Sequence, residues 1–148
     1  IISTIPWMEF AKITGMPQEL KEKIGHLKYS SVQTAYFPDN LDTEAQWVYY
    51  PDPELSYHRI LVRHNFCNGS KGYWTECNST TESTFQYMNQ YAYPLNTIGK
   101  PEIMKELLEW AKTRRVYGLG RWGEHQHYNS DLVVELALKM AEELNSAQ

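Results

Sequence analysis

The run Gly118-Leu119-Gly120-Arg121-Trp122-Gly123 is followed by Tyr128-Asn129-Ser130-Asp131 and an apolar-striped stretch to Leu144. These are the residues whose types and spacing best suit ligand chemistry. They read as strand, glycine-rich turn, polar cap and helix. That order brings helix N–H groups and a glycine-walled surface to one point, which suits a phosphate or the electron-rich edge of a cofactor. Gly118, Gly120 and Gly123 alone would also suit a tight strand-to-helix turn. The arginine and the capped helix favour the cofactor surface. No Gly-x-Gly-x-x-Gly fingerprint and no βαβ unit precede the run. Half of a dinucleotide site is therefore expected here, and the chain reads as a piece of a larger protein.

Other reactive side chains carry less. Alternate residues of a strand share a face, so His125 and His127, with Glu124 nearby, could meet one ion. The spacing offers no third and fourth ligand. His58 and His64 are six positions apart, too far for one ion without a bend. No metal site is expected, and the histidines are read as solvated or hydrogen-bonded. Cys67 has His64 near it in sequence but no other feature of an activated thiol. Cys67 and Cys77 are too few for a disulfide scaffold and are read as reduced thiols, although Asn68-Gly69-Ser70 and Asn78-Ser79-Thr80 match the glycosylation sequon. Arg59 alternates with Tyr57 and Leu61, which leaves a surface arginine and a phosphate contact both open. No catalytic residue is assigned.

The elements that must position these groups follow from periodicity and turn residues. Pro6 with Trp7, Met8, Phe10 and Ile13 predicts a short helix ended by Gly15. Pro17 opens a second, amphipathic helix carrying Leu20, Ile24 and Leu27. Strands are expected at 29–37, 47–50, 57–63 and 72–77, with a further extended segment at 89–95. Turn residues at Pro38-Asp39-Asn40, Pro51-Asp52-Pro53 and Asn68 to Gly72 separate the strands and favour an antiparallel meander. Ile103, Met104, Leu107, Leu108 and Ala111 mark a helix from Pro101. A last strand at about 115–119 leads to the final helix from Ser130 or Asp131, whose apolar stripe should face a core. Asn129 or Ser130 can cap it. The expected fold is α+β, with an antiparallel sheet of about five or six strands flanked by helices, in a single domain over 1–148.

At 148 residues the chain can bury a sizeable core. Its net charge is −4, and no Lys/Arg cluster forms the stripe that nucleic acid requires. No apolar run approaches the roughly 20 residues of a membrane span, and no secretion signal is read, so a cytoplasmic location is expected. Eleven Tyr and five Trp are many for this length, and such rings either fill a core or line pockets for sugars and flat rings.

The C-terminal run resembles the flavin-contacting segment of UDP-galactopyranose mutase and the related protoporphyrinogen-oxidase-like, amine-oxidase-type flavoproteins. In that family a Gly-Arg-aromatic-Gly turn leads to an Asn-x-Asp that opens the last helix. The matching residues are Gly120, Arg121, Trp122 and Gly123, then Asn129, Ser130 and Asp131. Ser3 to Pro6, Trp47 to Pro51, Tyr57-His58-Arg59 and Tyr91 to Pro94 fall in the family's order. The resemblance implies FAD in a full-length parent, held in part by Gly120, Arg121, Gly123, Asn129, Ser130 and Asp131. It implies a nucleotide-sugar or other small-molecule substrate near Arg59, Tyr93 and Tyr128, with the planar Arg59 guanidinium matching two phosphate oxygens. The parent would act as a mutase or oxidoreductase in cell-surface polysaccharide (lipopolysaccharide) biosynthesis. The 148 residues alone are expected to be inactive and to hold no FAD. They are also expected to self-associate through apolar faces of the last helix or the helix near Ile103. A different reading is a carbohydrate- or protein-binding β-rich module without catalysis.

Overall fold

The computed structural model describes residues 1–78 and 87–146. In chain order the elements are β1 (Ile2–Ser3), α1 (Trp7–Phe10), α2 (Gln18–Ile24), β2 (Tyr29–Phe37), β3 (Trp47–Tyr49), β4 (Arg59–Val62), α3 (Arg63–Phe66), β5 (Tyr73–Cys77), β6 (Tyr87–Pro94), α4 (Lys100–Lys112), β7 (Tyr117–Gly118), α5 (Gly120–Gly123) and α6 (Ser130–Ser146). The fold is α+β, as the residue pattern predicts. The chain forms two compact units, residues 1–29 with 93–148 and residues 30–92.

The first unit is built on helices. Trp7, Phe10, Leu20, Ile24 and Leu27 pack with Met104, Leu107, Ala111 and Val116. The stripe predicted on α4 is thus the one that enters the core, because its spacing puts Met104, Leu107 and Ala111 on one face. Full burial of side chains such as Trp7 and Leu107 contributes about 1.5–3 kcal/mol each. α1 ends at Phe10 and leaves Ile13 exposed, so the first helix is shorter than its apolar residues suggest. β1 pairs with β7 in parallel, Ile2 opposite Tyr117 and Ser3 opposite Gly118.

α6 departs from expectation. Its apolar residues predict a core-facing stripe, yet none of its residues is buried, and Val134 and Leu138 are about three-fifths exposed. Amphipathic spacing specifies a face but not the surface that covers it.

The second unit holds a five-stranded antiparallel sheet in the order β3-β4-β5-β2-β6. β3, β4 and β5 form the expected meander. β2 does not extend that meander beside β3. It lies between β5 and β6, with Gln33 opposite Cys77 and Phe37 opposite Tyr73. Val32 and Gln33, neighbours whose side chains leave opposite faces, are the buried residues of this strand. β3 is left at the sheet edge.

Candidate functional site

The Gly118 to Asp131 run lies in the first unit, and its glycines have different tasks. Gly118 and Gly123 are buried against each other. A Cβ on Gly118 would run into the Gly123 carbonyl, and one on Gly123 into the Ser3 carbonyl. Only glycine permits that approach of backbones. Gly120 takes φ +75°, where an L side chain is strained, and a Cβ there would also lie 3.2 Å from Val133 Cγ1. The turn between them is the four-residue α5, not an open loop.

Beside this turn is a groove of about 540 Å³, lined by Thr4, Leu119, Gly120, Arg121, Trp122, Tyr128, Ser130, Val133 and Val134. Its volume falls in the range of about 300–1,000 Å³ usual for small-molecule sites. Leu119, Trp122 and the two valines make an apolar wall, and Arg121 supplies a cation. Arg121 donates from Nη2 to the Tyr128 carbonyl at 3.0 Å, and its guanidinium stands over the Tyr93 ring at 5.1 Å. The ring of Tyr93 also meets His127 edge to face at 4.9 Å. The fold therefore brings Gly120, Arg121, Tyr128 and Ser130 to one groove and sets Tyr93 under the arginine. α6 starts there too: Val133 N–H reaches back to the Asn129 carbonyl at 3.1 Å, so the first N–H groups of a 17-residue helix open at Asn129, Ser130 and Asp131. Gly123 is buried in the turn, on the Ser3 side.

Glu124 has a part that residue spacing does not announce. Its Oε2 accepts the Gly120 N–H at 3.0 Å, so a carboxylate already holds the amide at the head of the turn. Burial pushes the Glu124 carboxyl above its usual range, and the Gly120 bond partly opposes this. Burial, and secondarily the Glu124 charge, raises the Tyr128 phenol.

A second missed group braces the run from behind. Lys100 is only 5% exposed, and its Nζ donates to Asn96 Oδ1 at 2.5 Å, the His125 carbonyl at 3.1 Å and Gln126 Oε1 at 3.0 Å. Three ammonium protons meet three neutral acceptors. Desolvation lowers its pKa from the usual lysine value. A lysine in the first turn of a helix opposes the helix dipole, and that mismatch at Lys100 is the sequence signal for a tertiary role.

His125 is fully buried at φ +49°, its Nε2 3.0 Å from the Lys28 carbonyl and its Nδ1 without a partner. Burial lowers its pKa; the bond to Lys28 opposes the shift and the Lys100 charge adds to it. His127 is exposed. His125 and His127 therefore do not converge, and among the described residues no group of three or more His, Cys, Asp or Glu could hold a metal ion.

Arg59 belongs to the second unit. Its Nε donates to Glu76 Oε2 at 2.7 Å, its Nη2 contacts the same oxygen, and its Nη1 donates to Tyr49 Oη at 3.3 Å. A carboxylate thus faces the guanidinium expected to meet phosphate. No disulfide joins Cys67 and Cys77: Cys67 is exposed, and buried Cys77 has Sγ 3.7 Å from Gln33 Oε1. Asn68 lies in an exposed turn, while Ser79 and Thr80 of the second sequon lie outside the described residues. No described helix is long and apolar enough to cross a membrane.

No protein-family model and no curated protein match the chain. Among solved structures it is similar to one described as the crystal structure of reduced UDP-galactopyranose mutase, with TM-score 0.63 and 18% identity. The match covers 82% of this chain and 35% of the other. The chain therefore spans little more than a third of that protein's length, and the likeness is one of fold.

Proposed function

We propose that this chain forms the substrate-domain sheet and the flavin-facing turn of an FAD-dependent enzyme resembling UDP-galactopyranose mutase, acting on a nucleotide-sugar. The observation that carries the reading is the groove where Arg121, Tyr128, Ser130 and the start of α6 converge. A cation, helix N–H groups and an apolar wall suit one end of a flavin dinucleotide, where phosphate and a flat ring adjoin. The fold likeness supports the same assignment.

The residues present fit part of the cofactor. Arg121 and the amides at Asn129 to Asp131 would hold it, with Leu119 and Trp122 against its apolar portion. Glu124 already accepts the Gly120 N–H, so anion contact falls to Arg121 and not to that amide. Bound flavin would supply the covalent and electron chemistry, and the chain's own residues bind and orient. The Arg59–Glu76 pair leaves a substrate diphosphate to share Arg59 with a carboxylate. The proposed role lies in cell-surface polysaccharide synthesis.

The visible spectrum of a full-length gene product purified without added cofactor tests this reading. Flavin bands are expected, and Arg121→Ala should lower the flavin retained at least tenfold. A colourless product that stays colourless after incubation with FAD overturns it.

A further inference from the structure

We infer that Lys100 is the positioning residue of Arg121: its buried ammonium sets the course of residues 124–128, and that segment aims the guanidinium into the groove. The inference rests on the reading of Arg121 as the anion contact, and it adds the group that makes the contact directional. Arg121 is bonded to the segment at both its backbone and its side chain. Gln126 N–H donates to the Arg121 carbonyl at 2.9 Å, Tyr128 N–H donates to the Gln126 carbonyl at 2.9 Å, and Arg121 Nη2 donates to the Tyr128 carbonyl at 3.0 Å. These three bonds close a ring. A guanidinium is a rigid planar fork, so fixing one arm turns the whole group. The backbone at 126–128 therefore decides where Arg121 points.

That backbone needs support from elsewhere. It joins α5 to α6, and residues 126–129 belong to neither helix. His125 stands at φ +49°, a conformation that a residue with a side chain keeps only when its surroundings impose it. The Lys28 carbonyl, 3.0 Å from Nε2, places the imidazole. Lys100 places the main chain. Its Nζ donates to the His125 carbonyl at 3.1 Å and to Gln126 Oε1 at 3.0 Å, so it grips the left-handed residue and the next one, which carries two bonds of the ring. Its third bond, to Asn96 Oδ1, ties the ammonium to the chain just before α4. α4 is itself anchored in the core by Met104, Leu107 and Ala111. Support thus runs from the core through Lys100 to Gln126, Tyr128 and Arg121.

The residue type argues for more than packing. Lys100 is buried, and its three acceptors are all neutral. A cation kept from water and given neutral acceptors is costly. Methionine would fill similar space with no charge to bury. What the ammonium adds is three donors on one atom, which hold two neighbouring residues of another segment at once.

Nitrogen NMR of the full, isotope-labelled chain reads the guanidinium directly, with its signals identified by their absence in Arg121→Ala. Rotation about the Arg121 Nε–Cζ bond should be at least threefold faster in Lys100→Met. The same is expected in Gln126→Ala, which removes one acceptor of Lys100 from a partly exposed side chain. Circular dichroism checks the fold, and Gln126→Ala decides alone if Lys100→Met unfolds. An unchanged rate in the folded variants overturns the inference. Flavin retained by a full-length gene product gives a second readout. Lys100→Met should lower it at least fivefold in the wild-type background but less than twofold beside Arg121→Ala, because the lysine acts through the arginine. Equal losses in both backgrounds would mean that Lys100 supports the fold at large, and would overturn the inference. A colourless wild-type product ends the flavin reading instead, and the rotation rate still decides the role of Lys100.

Discussion

Trp7 donates its indole Nε1–H to the carbonyl of Gly123 at 2.8 Å, across 116 positions of sequence. The bond is buried, and it joins the first helix to the end of the glycine turn. Gly123 in turn rests against the Ser3 carbonyl and Gly118. The position of the groove thus depends on residues at the opposite end of the chain.

Trp7→Phe removes the donor and leaves the Gly123 carbonyl buried without it. A loss of about 2–4 kcal/mol is expected, from the unmade bond at about 1–3 kcal/mol and the shrunken side chain. Urea denaturation measures it. Gly123→Ala should cost at least as much, because the added methyl has no space beside Ser3.

His125 makes stability depend on pH. Its folded pKa lies below the usual value of 6.5, through burial first. In the window between those two values the unfolded chain binds more protons, so stability rises with pH. The contribution is complete above about pH 6.5 and is lost as pH falls through the folded pKa. The charge that faces it is the Lys100 ammonium, and the Lys28 carbonyl is a neutral acceptor, so neither offers the imidazolium an anion. Urea midpoints from acid to neutral pH should climb in the wild type and flatten over that window in His125→Gln. An equal slope in both would refute this origin.

Arg115 occupies the left-handed region at φ 56° where α4 ends, and Val116 N–H returns to the Ala111 carbonyl at 3.0 Å. Glycine is the usual residue at such a helix stop. Arg115→Gly should therefore raise stability by about 0.5–1 kcal/mol, after the greater entropy of an unfolded glycine is allowed for. Thermal denaturation would show a Tm a few degrees higher.

α6 presents Val134 and Leu138 uncovered. Self-association through this face is expected at high protein concentration, and Leu138→Lys should shift sedimentation toward monomer. A wild type that stays monomeric throughout would end that expectation.

The groove's chemistry was partly legible from residue order. Gly120, Arg121, Tyr128 and Ser130 are close in sequence, so a turn and a helix start suffice to bring them together. Glu124 was obscure because a carboxylate four residues after a glycine amide looks like any surface acid. Lys100 was obscure because its three acceptors lie on other segments.

Periodicity and turn residues were enough to place α4 and its buried stripe, the meander of β3, β4 and β5, and the start of α6 at Ser130. Each is local: backbone sterics and the spacing of apolar residues act within a few turns of chain. Tertiary packing alone put β2 between β5 and β6, buried His125, paired Arg59 with Glu76 and left α6 uncovered. Those outcomes depend on which surfaces meet. An amphipathic pattern or a charged side chain states what it can bury or bind, and only the partner brought to it by the fold decides which of these occurs.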